Sequence, residues 1–267
     1  MNKPEPSNHN KLVSIITPVR NGQRYLNEAI ESVSAQTYPD WEMIIINDNS
    51  NDDSLKIANT YAEQDSRIKV FSSSESVGAA GARNLGISKS VGRYIAFLDS
   101  DDAWLPDKLK KQIAFMQANN FVFTYTSYKR VNAEGNTISD VIVPPSIDRQ
   151  QLLTKSRIGC LTVIYDTDFF GEIKMPLIAK RQDLGFWLLL LKHPVKAYGL
   201  RECLGRYRTH TQSLSENKIS AAFYTWKLFR NHEHMPLFVS LYYFSWYAVG
   251  RSLQYTTPKL AKKLGFY

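Results

Sequence analysis

Short apolar runs alternate with helix-spaced patterns along the first hundred residues. Residues 12–17 (LVSIIT) read as a buried strand closed by Pro18, and Asn21-Gly22 is a turn signal. Leu26, Ile30 and Val33, supported by Tyr25 and Ala29, then recur at helical spacing and stop before Pro39. Residues 41–46 predict a second strand. The polar loop 47–53 follows, where Asp53 or Ser54 can cap a helix carried on by Leu55, Ala58, Asn59 and Ala62. Residues 68–71 form a third strand, and the Gly- and Ala-rich stretch 78–86 leads into or lies within a helix. Residues 94–98 are a continuous apolar run of the kind found at the centre of a parallel sheet. This repeated order predicts an α/β domain with a largely parallel sheet.

Beyond Asp102 the spacing changes. Trp104-Leu105-Pro106 is a break, Leu109, Ile113 and Met116 mark a helix, and residues 121–128 alternate as an aromatic strand. Gly135 and Pro144-Pro145 punctuate a loop-rich section, and 161–165 is strand-like. A buried helix spans 185–191 and ends near His193-Pro194, with Phe186 and Trp187 as packing residues. Short strands are predicted at 195–200 and 205–208, and helices at 223–232 and 237–253. No internal repeat is present.

Composition narrows the classes. The chain has 267 residues, 43% apolar and 22% charged, as in a folded globule. From residue 192 to the end, 12 Lys and Arg face 3 Asp and Glu, a net of +9, whereas the preceding residues hold 21 against 22, a net of −1. The basic excess therefore lies wholly in the last part of the chain. Such a field attracts nucleic acid, anionic lipid or a phosphorylated substrate, and charge alone does not choose among them. Two cysteines, Cys160 and Cys203, are too few for a disulfide framework. The first residues carry no apolar secretion segment, and no run is long and apolar enough to span a bilayer. The expected compartment is the cytoplasm, including a peripheral position on the cytoplasmic face of the inner membrane.

The candidate chemistry falls where the strands end. In open α/β sheets ligands bind beyond the carboxyl ends of the strands, and three polar sites lie there: 17–21, 47–50 and 99–102. Asp99-Ser100-Asp101-Asp102 crowds three carboxylates, which is unfavourable unless water or a cation screens them. Carboxylates suit hard cations such as Mg²⁺ or Mn²⁺, with diphosphate oxygens and waters completing the shell. Asp101 is the best metal ligand, and Asp99 is placed to bind ribose or orient the metal. The bland alternative is a solvated turn with Asp102 as a helix cap. Asp48 can accept a hydrogen bond from a base edge flanked by Thr17 and Pro18, or it can form an Asx-turn. Gly78, Ala79, Ala80 and Gly81 allow a close ligand approach, and Arg83 beyond them offers a fork of donors for phosphate or base oxygens, or is a solvated helix residue. The glycines lack the G-x-G-x-x-G spacing, and no Walker A sequence is present, which weakens dehydrogenase and ATPase readings.

Three segments, VSIITPVRNGQRYLNEAIESVSAQTYPDWEMIIINDNSNDDS, GAAGARNLGISKSVGRYIAFLDSDD and RQDLGFWLLLL, followed by YRTHTQSLS, cover residues 12–215. In number and order they resemble the catalytic domain of glycosyltransferase family 2, specifically enzymes of bacterial surface-polysaccharide, lipopolysaccharide or O-antigen assembly. The resemblance implies a GT-A fold with a mixed, largely parallel central sheet and a C-terminal helical extension. Residues 1–10, polar with two prolines, read as a flexible lead, and the resemblance implies a catalytic domain over 11–215, with a nucleotide-binding half (11–102) and an acceptor-binding half (103–215). A basic aromatic extension covers 216–267.

Residue by residue, the resemblance matches Asp48 to the donor base and Arg83 to the nucleotide. Asp99, Ser100 and Asp101 form the DxD signature, for ribose and metal. Asp183 matches the catalytic base, and Arg208 and His210 a segment that closes over diphosphate or metal. The chemistry implied is an inverting hexosyl transfer. The donor is a nucleoside diphosphate sugar, UDP-linked by family preference, carrying glucose, galactose or an N-acetyl form. The acceptor is a saccharide hydroxyl, with an undecaprenyl-diphosphate-linked intermediate as the expected carrier, and Mn²⁺ or Mg²⁺ is the cofactor. Two positions depart from the pattern: Gln182 replaces an acidic neighbour of Asp183, and Asn47 replaces an aspartate.

Two other classes compete. A nucleotide-sugar nucleotidyltransferase also uses carboxylates and metal, but the Asp183 segment fits a sugar acceptor better. Nucleic-acid binding is opposed by the acidic rim and by the absence of a zinc finger or paired RNP pattern. The aromatic, basic tail suits an anionic membrane surface. Its alternatives are packing on the catalytic domain or formation of a homodimer.

Overall fold

The computed structural model describes residues 11–154, 158–209 and 218–257. The first half is β1 (Val13–Val19), α1 (Leu26–Ser34), β2 (Trp41–Asn47), α2 (Ser54–Gln64), β3 (Ile68–Ser72), α3 (Gly78–Lys89) and β4 (Tyr94–Phe97). Then come β5 (Ala103–Trp104), α4 (Lys108–Asn119), β6 (Phe123–Val131), β7 (Thr137–Val141), β8 (Ser146–Ile147) and α5 (Arg149–Thr154). A 3₁₀ turn (Cys160–Thr162) precedes β9 (Ile164–Asp166), α6 (Thr167–Phe170), α7 (Gln182–Leu190) and β10 (Ala197–Arg208). Helix α8 (Lys218–Lys227), a π turn (Leu228–His232) and α9 (Leu237–Thr256) follow.

One mixed sheet runs through both halves in the order β3-β2-β1-β4-β9-β6-β10-β5, with β7 paired to β6 and β8 to β10. The first four strands are parallel, and β9 joins them antiparallel to β4. Alternation along β1 and β2 explains the two covered faces. Ile15, Met43 and Ile45 pack in the same core as Leu26, Ile30 and Val33 of α1, while Ile44 and Ile46 meet Ala82 of α3. Helix α3 lies close on β1 because of Gly86, where a Cβ would come within 2.4 Å of Ile16. The register sets Pro18 beside Ile46 and Ile16 beside Phe97, so β1, β2 and β4 finish along one rim.

Four local expectations change. Helix α2 is held at its start by Asp52, whose carboxylate accepts from the Ser54 N–H at 3.0 Å; Asp53 makes no such bond. Asp102 caps no helix: it is buried, and α4 begins at Lys108. Residues 161–165 divide into a 3₁₀ turn and β9. The two strands expected at 195–200 and 205–208 are one strand, β10, whose register against β6 shifts between Leu200 and Cys203 and again before Arg206. The exposed Arg201-Glu202 pair breaks the apolar pattern there without ending the strand.

Candidate active site

At the β1–β2 rim two loops are laced together. The backbone N–H groups of Asn21, Gly22 and Gln23 donate to Ser50 Oγ (3.1 Å), Ser54 Oγ (2.9 Å) and Asp52 Oδ2 (3.1 Å). In return Asn51 N donates to Asn21 Oδ1 at 2.9 Å and Asp53 N to Gln23 Oε1 at 3.0 Å. Asn21 and Asn49 take the left-handed backbone (φ 52° and 54°) that asparagine tolerates. Thr17 is buried with its hydroxyl unpartnered, as is the Asn47 side-chain oxygen at the end of β2; Pro18 between the strands is half-buried. Orphaned buried polar atoms of this kind are positions where a ligand or an ordered water could supply the missing bonds.

Asp48 is buried and binds the start of α3. Its Oδ1 accepts from Val77 N (2.7 Å) and Ser73 Oγ (3.2 Å), and its Oδ2 from Gly78 N (3.0 Å) and Ser76 Oγ (3.0 Å). A carboxylate has about four acceptor positions, and four donors already occupy Asp48, so a further donor would have to displace one of the serine hydroxyls. Ser76 also accepts from Arg20 at 2.6 Å. The carboxylate thus sits against the positive end of α3, a favourable placement for an anion.

One turn into α3, the buried Arg83 donates from Nη2 to Asp99. Its Nε and Nη1 have no partner. Burial opposes the Arg83 charge, but Asp99, with Cys160 and Asp183 in electrostatic range, raises its pKa overall. A buried guanidinium with two unused donors is a ready acceptor of anionic or hydroxyl oxygen. The same guanidinium feels Asp99, in the turn beyond β4, and Asp183 of α7, so these acids share one electrostatic environment.

Ser100 lies against Gly22, where an added Cβ would approach its Oγ to 2.9 Å. Asp102 is buried, and its carboxyl is pushed well above the usual range by burial first and then by Asp101 and Asp99, against a bond from Arg208 N at 2.9 Å. Arg208 is buried and fully engaged. It donates from Nε to Asp101 O (2.9 Å), from Nη1 to Ala133 O (3.0 Å) and Asn132 O (3.2 Å), and from Nη2 to Glu28, while packing over the Tyr25 ring. It thereby braces the acidic turn from beneath; direct contact with a diphosphate requires some of these bonds to rearrange. His210 lies outside the described residues.

Among the described residues no three His, Cys, Asp or Glu side chains form a closed metal cage. The donor set at Asp99–Asp101 fits a hard cation whose remaining ligands come from phosphate oxygens and water. Both aspartates are half-buried and therefore reachable from the rim.

Asp183 stands in the first turn of α7, half-buried, its Oδ1 accepting from Leu184 N at 2.8 Å. The helix is fixed by Phe186 and Trp187, both fully buried; the Phe186 ring lies 6.0 Å edge-on from Phe97 at the end of β4. Two contributors escaped the sequence reading in these roles: Glu28 and Asp52. Glu28 is a half-buried polar position of α1 with no motif around it, and Asp52 was one of several polar residues in its loop.

Comparison with known proteins bears on the family and the fold. The model of the family described as Glycosyl transferase family 2 matches residues 14–172. The chain is 42% identical over 243 residues to the putative teichuronic acid biosynthesis glycosyltransferase TuaG of Bacillus subtilis (strain 168), covering 91% of this chain and 96% of that one. It is 34% identical over 240 residues to the Escherichia coli UDP-Glc:alpha-D-GlcNAc-diphosphoundecaprenol beta-1,3-glucosyltransferase WfgD, covering 90% and 93%. Among solved structures, S. aureus TarS 1–349 in complex with UDP-GlcNAc superposes with a TM-score of 0.69 at 17% identity, over 92% of this chain and 74% of that one, a likeness of fold.

Proposed function

The chain belongs to glycosyltransferase family 2, and on that footing we propose that it transfers a hexose or N-acetylhexosamine from a UDP-linked donor, with inversion, to a saccharide hydroxyl on an undecaprenyl-diphosphate carrier. The observation that carries this reading is the shared environment of Arg83, Asp99 and Asp183, residues from three separate elements. The donor and carrier are those in the name of WfgD.

In the proposed reaction, Thr17, Pro18 and Asp48 receive the base, and Arg83 with Asp99 and Ser100 lines the ribose and phosphate path. Asp101 with Asp99, joined by His210, would hold Mn²⁺ or Mg²⁺, whose chemistry there is neutralisation of charge on the departing diphosphate. Asp183 accepts the proton of the acceptor hydroxyl as its oxygen attacks the anomeric carbon and the bond to diphosphate breaks. Gln182, neutral beside it, donates and accepts hydrogen bonds without adding charge. Residues 11–102 serve the nucleotide and 103–215 the acceptor.

The extension suits a carrier that resides in a bilayer. Phe238, Leu241, Tyr242, Trp246 and Val249 are exposed on α9, while Ser240 and Tyr247 face the body. Residues 237–256 contain no Asp or Glu, and Lys227 and Arg230 lie just before them. No helix among the described residues is long and apolar enough to cross a membrane. We therefore assign this face to the anionic bilayer surface. Arg181, which opens α7, donates to Tyr247 of α9 at 2.6 Å, so the lipid-facing helix touches the helix that carries Asp183.

The test is product analysis with a panel of nucleotide sugars and a GlcNAc-diphospholipid acceptor, with and without Mn²⁺. Release of nucleoside diphosphate with sugar on the lipid is expected. Pyrophosphate chemistry would transfer the assignment to a nucleotidyltransferase. Binding that follows nucleic acid and falls with salt, with no sugar transfer, would overturn both.

A further inference from the structure

We propose that Asn84 is a positioning residue for Asp183, holding the base-bearing helix in register with the donor side of the site; this rests on Asp183 being the base. The Asn84 side chain makes a two-point clamp on one peptide residue. Its Nδ2 donates to Met175 O at 2.9 Å, and its Oδ1 accepts from Met175 N at 2.7 Å. Met175 is 2% exposed, so water does not readily replace those bonds. Residues 171–181 contain neither helix nor strand and lead directly to Asp183, so their path depends on such contacts.

The clamp is passed on by packing. Pro176, next to Met175, lies against Gly185 of α7, where an added Cβ would come within 2.7 Å of Pro176 Cγ. Gly185 is two residues beyond Asp183 on the same helix. Immediately before Asn84, Arg83 bonds Asp99 of the donor side. Two adjacent residues of α3 therefore hold the two reacting partners' sites, one through a guanidinium and one through an amide. Only an amide both donates and accepts in this way; a carboxylate keeps the bond from Met175 N and loses the one to Met175 O.

The experiment uses the full chain and two variants, Asn84→Ala and Asn84→Asp. Hydrogen–deuterium exchange of Asn84→Ala is expected to speed up at residues 175–184 while residues 78–83 and calorimetric UDP affinity with Mn²⁺ stay unchanged. With UDP-glucose and a GlcNAc-diphospholipid, kcat should fall about 10- to 100-fold, the scale of a small misplacement of a reacting group, with donor KM nearly constant. Asn84→Asp should fall between the two and supplies the measurement if Asn84→Ala does not fold. In an Asp183→Asn background the added loss should shrink below about twofold, because the two residues act through one step. Unchanged exchange at 175–184, a full additive loss in that background, or a loss of UDP affinity matching the loss of kcat would overturn the proposal. If the wild-type chain transfers nothing from this donor, the donor assignment fails and the exchange result still decides Asn84.

Discussion

The two approaches to the site are built by different means. On the donor side, Thr17, Asp48 and Asp99 directly continue or lie at the ends of buried strands, and the positions of those strands follow from a parallel register. Asp48 and Asp99 are each held by α3, one by its first N–H groups and one by Arg83. On the acceptor side, Asp183 follows eleven residues without regular structure, 171–181, and its helix is located by Asn84, by Gly185 and by aromatic packing. A frame of strands fixes the carboxylates proposed for the donor, whereas single side chains fix the proposed base. Small changes should therefore separate chemistry from donor binding on one side and abolish both on the other.

The largest effect is expected from Asp183→Asn, which should lower turnover about 10³-fold by removing the general base, measured as sugar transfer to the acceptor at saturating donor. Asp101→Asn, or chelation of the purified protein, should also suppress turnover and in addition raise the donor KM. Arg83→Lys keeps a charge but loses the fork; donor affinity should fall about 10- to 100-fold, the range of bonds to charged groups, read by UDP calorimetry. Gly185→Ala forces α7 from Pro176 and Leu228. It should destabilise by about 1–3 kcal/mol and reduce kcat more than UDP affinity, in denaturant melts and kinetics.

The smallest effect lies in the donor frame, far from the rim. Burial pushes the Glu42 carboxyl up, but bonds from Lys69, Ser14 and the Val91 N–H overcome this and leave it below its ordinary range. A carboxyl with a depressed folded pKa stabilises above its unfolded pKa, and that contribution is lost as pH falls through the folded value. Glu42→Gln should therefore destabilise at neutral pH by about 1–2 kcal/mol, with the difference from wild type shrinking in melts at acid pH.

The same contrast explains what could be read from the sequence. The strands of the first half were legible because apolar runs such as Met43–Ile46 have no polar interruption, and the rim followed from where they end, whereas the short strands β5, β7 and β8 lie where breaks and loops were expected. Strand β10 was not legible as one element, since Arg201-Glu202 breaks its apolar run at a register shift. Asp48 was visible as a candidate, but its partners Ser73, Ser76, Val77 and Gly78 were not, because a loop folding back leaves no periodic trace. Arg208 was expected at the diphosphate by resemblance; its bonds to Glu28, Asp101 and Ala133 depend on tertiary contacts between distant segments. Asn84 has the weakest sequence signal and a long reach, since one amide satisfies the backbone of a residue ninety-one positions away.

The division of labour is tested most directly by titrating UDP, in the presence of Mn²⁺, into Asp183→Asn and Asp101→Asn side by side. Wild-type affinity is expected for Asp183→Asn and a loss of at least about tenfold for Asp101→Asn. Equal losses in both, or none in either, would contradict that division.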